Sequence, residues 1–207
     1  MRQTNKIRKG IAWLLCTVLV LGILPMLPQM SMQISAAENA ASVFVDGVEL
    51  HAGGKKYFKN GDTADSGATG TDEDHSAYYD TAGELWLNNL EAHTIKANGN
   101  LTIYVCNNQE TNTNIVTATQ NETAIEVTGY LTIQYGGYGE TGSLTVESDG
   151  KEAIQAGSGM TVSDGVEVKV RAKSGATAIS SGGVLKIDGI RTKLEAASDG
   201  STGKGIF

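Results

Sequence analysis

Proline is missing from everything after residue 37, since both prolines, Pro25 and Pro28, fall inside the first 37 positions. Every later residue therefore keeps its amide donor, which suits uninterrupted strand ladders. Cysteine is nearly as scarce. Cys16 and Cys106 are the two, and only Cys106 lies beyond residue 37, so no internal disulfide can staple the later chain. Positive charge is thin as well. Setting aside Arg2, Lys6, Arg8 and Lys9 leaves 12 of the 16 basic residues against all 23 acidic ones, a net of −11. That balance excludes nucleic acid as a partner, because phosphates need a basic surface. No stretch beyond residue 37 sustains a helical period. His51, His75 and His93 show no ligand spacing, and no Ser–His–Asp set can be assembled from the pattern.

What is present begins with a leader. The four early cations precede an apolar run from Ile11 to Leu27, and the small residues Ser35-Ala36-Ala37 follow. This reads as a secretory signal peptide cleaved after Ala37, leaving a secreted or cell-surface chain with no membrane contact. The alternative is an uncleaved anchor, since seventeen residues sit at the short edge of a span. Leu15 before Cys16 and the cysteine's place inside the apolar core argue against a lipoprotein.

The mature part repeats. Ile95, Ile125, Ile154, Ile179 and Ile206 are separated by 30, 29, 25 and 27 residues. The first four each have apolar partners six and eight residues later: Leu101 and Ile103, Leu131 and Ile133, Met160 and Val162, Leu185 and Ile187. A constant inner spacing inside a variable outer one is expected of a solenoid with adjustable loops. Alternation points Ile125 and Val127 inward and Glu126 outward. Gly99, Gly129, Ser158 and Gly183 each stand four residues after their isoleucine, where the expected bend needs left-handed backbone angles. A third strand per coil is expected at Ile115-Val116, Leu144–Val146, Val168–Val170 and Leu194–Ala196. The expected fold is all-β, a parallel β-helix of about 25–30 residues per coil. Residues 38–60 form its N-terminal hairpin cap around an Asp46-Gly47 turn, 61–77 a flexible acidic loop, and 78–207 the repeats. Ending at the start of a fifth coil without a polar cap, the chain is expected to be a fragment of a longer protein.

Val43-Phe-Val-Asp-Gly-Val-Glu-Leu50, Tyr79-Asp80…Glu84-Leu-Trp-Leu-Asn-Asn89 and Ala97-Asn-Gly-Asn-Leu-Thr-Ile103 resemble secreted repeat proteins of gut and soil Firmicutes. The resemblance spans roughly residues 42–207. It implies a right-handed, pectate-lyase-like β-helix on the surface of a Gram-positive bacterium. Some such proteins are labelled carbohydrate-binding, and one clostridial group binds cellulose or polygalacturonate through a calcium-containing β-helix. This chain departs from that pattern in its irregular third strands and in Trp86, where threonine is usual.

Flat pyranose faces stack on flat rings, so outward aromatics are the candidate ligand-binding residues. Trp86 and Tyr104 point outward by strand parity, and Tyr130, Tyr135 and Tyr138 are expected to gather around the loop from Gln134 to Glu140. Trp86 could instead pack under the N-terminal hairpin. Ser148-Asp149-Gly150, Ser163-Asp164-Gly165 and Ser198-Asp199-Gly200 read as turns, with Asp149, Asp164 and Asp199 as candidate Ca²⁺ ligands if the corners stack. The outward column Thr102, Thr132, Thr161 reads as strand propensity. Arg171 and Arg191 fall at different offsets in their coils and bring no acidic pair with them, so a lyase site is not assembled. The expectation is a non-catalytic carbohydrate-binding or adhesive module whose partner is a polysaccharide or cell-surface glycan. A structural stalk is the alternative, and a calcium-dependent polysaccharide lyase or hydrolase the third reading.

Overall fold

The computed structural model describes residues 38–51, 56–106, 113–119, 121–137, 141–200 and 203–207. Residues 1–37, where a signal peptide is expected, and Tyr138 lie outside the described residues. The described chain is all-β. It opens with β1 (Ser42–Val45), β2 (Val48–His51), β3 (Lys56–Phe58), β4 (Ala77–Tyr79), β5 (Glu84–Asn88) and the two-residue β6 (Glu91–Ala92). Four coils follow, each with three strands. They are β7 (Ile95–Ala97), β8 (Leu101–Cys106) and β9 (Asn114–Ala118); β10 (Ile125–Val127), β11 (Tyr130–Tyr135) and β12 (Gly142–Asp149); β13 (Ile154–Ala156), β14 (Gly159–Ser163) and β15 (Val166–Lys173); β16 (Ile179–Ser181), β17 (Leu185–Ile187) and β18 (Lys193–Ser198).

Equivalent strands stack in parallel into three sheets, which makes the fold a parallel β-helix. The isoleucine repeat is the register itself: Ile95 pairs with Ile125, Ile125 with Ile154, Ile154 with Ile179, and Ile179 bridges Ile206. The second-strand pairs obey the same rule, with Leu131 between Leu101 and Met160, and Leu185 beside Met160. The first four isoleucines are fully buried. Each such side chain is worth ~1.5–3 kcal/mol on burial, and neighbouring coils supply the cover. Leu185, Leu194 and Ala196 of the last coil are only partly buried.

Two antiparallel additions close the N-terminal end. β1 pairs with β7 and with β2 across the Asp46-Gly47 turn, whose φ angles of 50° and 77° are those of a tight hairpin. β4 pairs with β5, and β3 with β4. The loop between β3 and β4 is built from polar bonds. Asp62, buried, accepts from the amides of Lys59 and Thr69, both at 2.9 Å, and from the Thr69 hydroxyl. A glycine- and serine-rich composition hides such order, because the organising contacts are side chain to backbone.

The expected third strand of the first coil, at Ile115-Val116, lies within β9. In the first coil the inward third-strand pair is Asn114 and Val116, and Ile115 points outward. Asn114 is fully buried where later coils carry Leu144, Val168 and Leu194. Its Oδ1 accepts from the Leu90 amide at 2.9 Å, and its Nδ2 donates to the carbonyls of Cys106 and Ser143 at 3.3 Å each. The polar side chain replaces apolar packing with backbone hydrogen bonds to both neighbouring coils. The expectation for the corner glycines needs correction. Of the four bend positions only Gly99 has a left-handed angle, φ 122°. At Gly129 a Cβ would lie 2.5 Å from the Gly99 carbonyl carbon, and at Gly183 2.2 Å from the Ser158 oxygen. Stacked backbone, not φ, demands glycine there.

Candidate functional site

The outer face of the seven-stranded sheet carries a ladder of rings. Tyr57 on β3 stands opposite Tyr78 on β4, Tyr78 opposite Trp86 on β5, and Trp86 opposite Tyr104 on β8. Trp86 and Tyr104 stack with centroids 4.2 Å apart and planes 11° from parallel. Tyr78 covers the other face of Trp86 at 5.9 Å and 4°. Tyr57 and His75 extend the cluster, with His75 edge-on to Tyr78 at 5.2 Å. Strand spacing near 4.8 Å sets this geometry, because residues in register come to stacking distance automatically.

A carboxylate locks the centre of the ladder. Asp80 Oδ1 accepts from the amides of Ala82 and Glu84 at 2.9 Å, closing the turn into β5, and Oδ2 accepts from the Trp86 indole at 3.1 Å. Glu84 lies alongside, receiving a 3.4 Å bond from the Tyr104 hydroxyl. Partial burial and the nearby Asp80 charge push the Glu84 carboxyl above its ordinary value. Burial, then Glu84, raises the Tyr104 phenol, and bonding to Asp72 raises Tyr57. The Glu84 row continues across the sheet as Thr102, Thr132, Thr161 and Lys186, so the threonine column is real.

The candidate rings do not form one group. Trp86 and Tyr104 face outward as expected, but each buries a ring face against the other, and Tyr78 takes the second face of Trp86. Trp86 therefore offers an edge, not a platform. Tyr130 and Tyr135 lie at opposite ends of the six-residue β11 and cannot cluster around one loop. Tyr130 lies against Gly159, where a Cβ would meet its ring at 2.6 Å, and its hydroxyl bonds Thr161 at 2.7 Å. Tyr135 falls in the inward register of Leu87 and Val105 and packs on the core. Its hydroxyl is buried without a partner among the described residues.

The Ser-Asp-Gly triplets occupy two kinds of corner. Ser148 and Ser198 lie in one column two coils apart, separated by Ala172, whereas Asp164 belongs to the turn between β14 and β15. Asp149 accepts from the Ser174 hydroxyl at 2.7 Å, Asp164 from Ser163 at 3.0 Å, and Asp199 from the Arg171 guanidinium at 2.8 and 3.2 Å. Left-handed angles at Asp164, Gly165, Gly150 and Gly200 fit turn chemistry. Among the described residues no three His, Cys, Asp or Glu side chains gather into a metal-sized group.

A second surface escaped the sequence reading. Phe44 on β1 points outward and is 38% exposed. Its row on the six-stranded sheet runs Glu49, Phe44, Lys96, Glu126, Gln155, Ser180. It borders a cleft of about 580 Å³ between the hairpin, the β3–β4 loop and a coil corner. Tyr57 and Phe44 gain partners through antiparallel pairings across long connections, Tyr57 with Tyr78 and Phe44 with Lys96, which local alternation does not give. Scans of protein-family models, curated proteins and solved structures found no match to this chain.

Proposed function

We propose that this chain is a non-catalytic, extracellular module that binds carbohydrate or adheres through its outer sheet faces. The observation that supports this reading is the solvent-side ring ladder Tyr57–Tyr78–Trp86–Tyr104, edged by Asp80, Glu84 and the threonine column. Rings beside hydrogen-bonding carboxylates and hydroxyls are the chemistry that grips a sugar's apolar face and its hydroxyls together. The fold supplies a rigid support, since each ring stands on a paired strand.

The stalk reading draws on one specific feature: Trp86 has both ring faces filled by its own neighbours, so the ladder also serves as internal mortar between hairpin and coils. Affinity electrophoresis separates the two. Gels carrying plant and host polysaccharides, run with calcium and with chelator, should retard the protein with at least one glycan. Tyr57→Ala or Tyr104→Ala should weaken that retardation if the ladder edge is the site. Uniform mobility of a folded sample across the panel would leave the stalk as the working answer.

A further inference from the structure

Among the described residues, the large hydrophobic side chains exposed at the surface are Phe44, Val184, Ile187, Ile190, Ile206 and Phe207. All but Phe44 belong to the last coil or the segment just beyond it. Phe44 stands alone on an otherwise polar face, among the outward neighbours Glu49, Lys96, Glu126 and Gln155. The outward ring, 38% exposed, lies between two clefts of about 580 and 200 Å³ that share Phe44 and Lys96. Unlike Trp86, it has no ring stacked on it among the described aromatic pairs.

We propose that the Phe44 ridge with its two flanking clefts is a subsite for an uncharged pyranose unit of a glycan. The proposal rests on the carbohydrate-binding reading above and moves its platform from the ladder to the neighbouring sheet. The ring takes the sugar's apolar face, and the clefts take the hydroxyls of the units on either side. Charge selects the class. The carboxylates Glu91, Glu122 and Glu126 outnumber Lys96, which Glu122 already approaches at 3.8 Å. A uronate would meet net repulsion there, whereas neutral hydroxyls can donate to carboxylates. The platform is rigid: Asp46 Oδ1, at the end of β1, accepts from the amides of His93 and Thr94 at 2.6 and 2.8 Å and pins the hairpin to the coil.

The test is an NMR titration of isotope-labelled residues 38–207 with cello-, xylo-, manno- and laminarihexaose and with hexagalacturonate. At least one neutral hexasaccharide should give saturable amide shifts centred on Val43–Val45 and Lys96. Phe44→Ala should weaken that binding about tenfold or more, as expected for losing a buried ring contact, while Phe44→Tyr retains it. Saturable shifts confined to the Tyr57–Tyr104 edge and indifferent to Phe44→Ala would overturn the subsite and leave the carbohydrate reading standing. Binding of hexagalacturonate at Phe44 would overturn the uncharged class. Unperturbed spectra with all five sugars would remove both readings.

Discussion

Gly157 separates two explanations of the solenoid corners by the sign of one substitution. It follows β13, its amide donates to the Val127 carbonyl at 2.9 Å, and its φ lies outside the left-handed region. If glycine served only the chain's conformational freedom, Gly157→Ala would be neutral or stabilising by about 0.4–1 kcal/mol, through a less flexible unfolded chain. The structure gives the opposite sign. An added Cβ would sit 2.2 Å from the Thr128 oxygen and 2.9 Å from its carbon. Relief requires the two corners to separate by about 1 Å, against a ladder of parallel pairs. Overpacking of this kind costs about 1–3 kcal/mol, and the obstacle is backbone, which cannot rotate away. The net expectation is a destabilisation of about 1–3 kcal/mol, read as a lower urea midpoint and as a Tm lower by about 2–4 °C per kcal/mol. Gly150→Ala is the control, since φ there is 100° and the added Cβ meets only the Asn121 nitrogen at 3.7 Å. That variant should lose stability through strain alone. A Gly157→Ala protein with an unchanged or raised midpoint would refute the stacking argument.

Asn114→Leu restores the residue type that later coils carry, yet should destabilise by about 1–3 kcal/mol, because the Leu90 amide and two carbonyls lose buried partners; calorimetry or urea melts check it. Asp62 gives a pH signature. Burial pushes its carboxyl up, but bonds from the Thr69 hydroxyl and from the Lys59, Thr69 and Gly70 amides outweigh this and hold it below the ordinary value. A depressed folded value means stability that is present above about pH 3.9 and lost as pH falls through the lower folded value. Asp62→Asn should therefore be less stable than the parent at neutral pH, with the gap closing in acid melts. Glu84 has the reverse sign. Burial and Asp80 raise its folded value, so its stability is full below its ordinary value near 4.3 and lost as pH rises through the raised value. Glu84→Gln should equal the parent in acid and exceed it at pH 7.

The repeats were legible because the register obeys them residue for residue: five isoleucines at matching places in the sequence are five stacked isoleucines in space. Inner spacing is fixed by strand length and corner geometry, so insertions fall in loops and leave the pattern readable. The third strand of the first coil was legible at Ile115-Val116, but its inward Asn114 was not. Asn114 looks like a loop residue, and only its backbone partners, Cys106 in its own coil and Leu90 and Ser143 in the neighbouring ones, make it an inward one. The corner glycines are visible in the sequence but their cause is not, since close approach between residues 25 or 30 positions apart leaves no local trace. The ladder was half legible. Parity gives the outward faces of Trp86 and Tyr104, but Tyr57 and Tyr78 join through an antiparallel pairing across the β3–β4 loop. Phe44 was hidden for a related reason: one Phe in an alternating strand looks like core until its partner row, Glu49 and Lys96, shows the face to be polar.

Carbohydrate binding is tested most directly by a glycan microarray bearing neutral, amino-sugar and uronate oligosaccharides side by side, probed with residues 38–207. The expected result is saturable binding to one or more neutral pyranose glycans, little change with chelator, and no signal on uronates. Silence across the array, or binding confined to uronates, would contradict it.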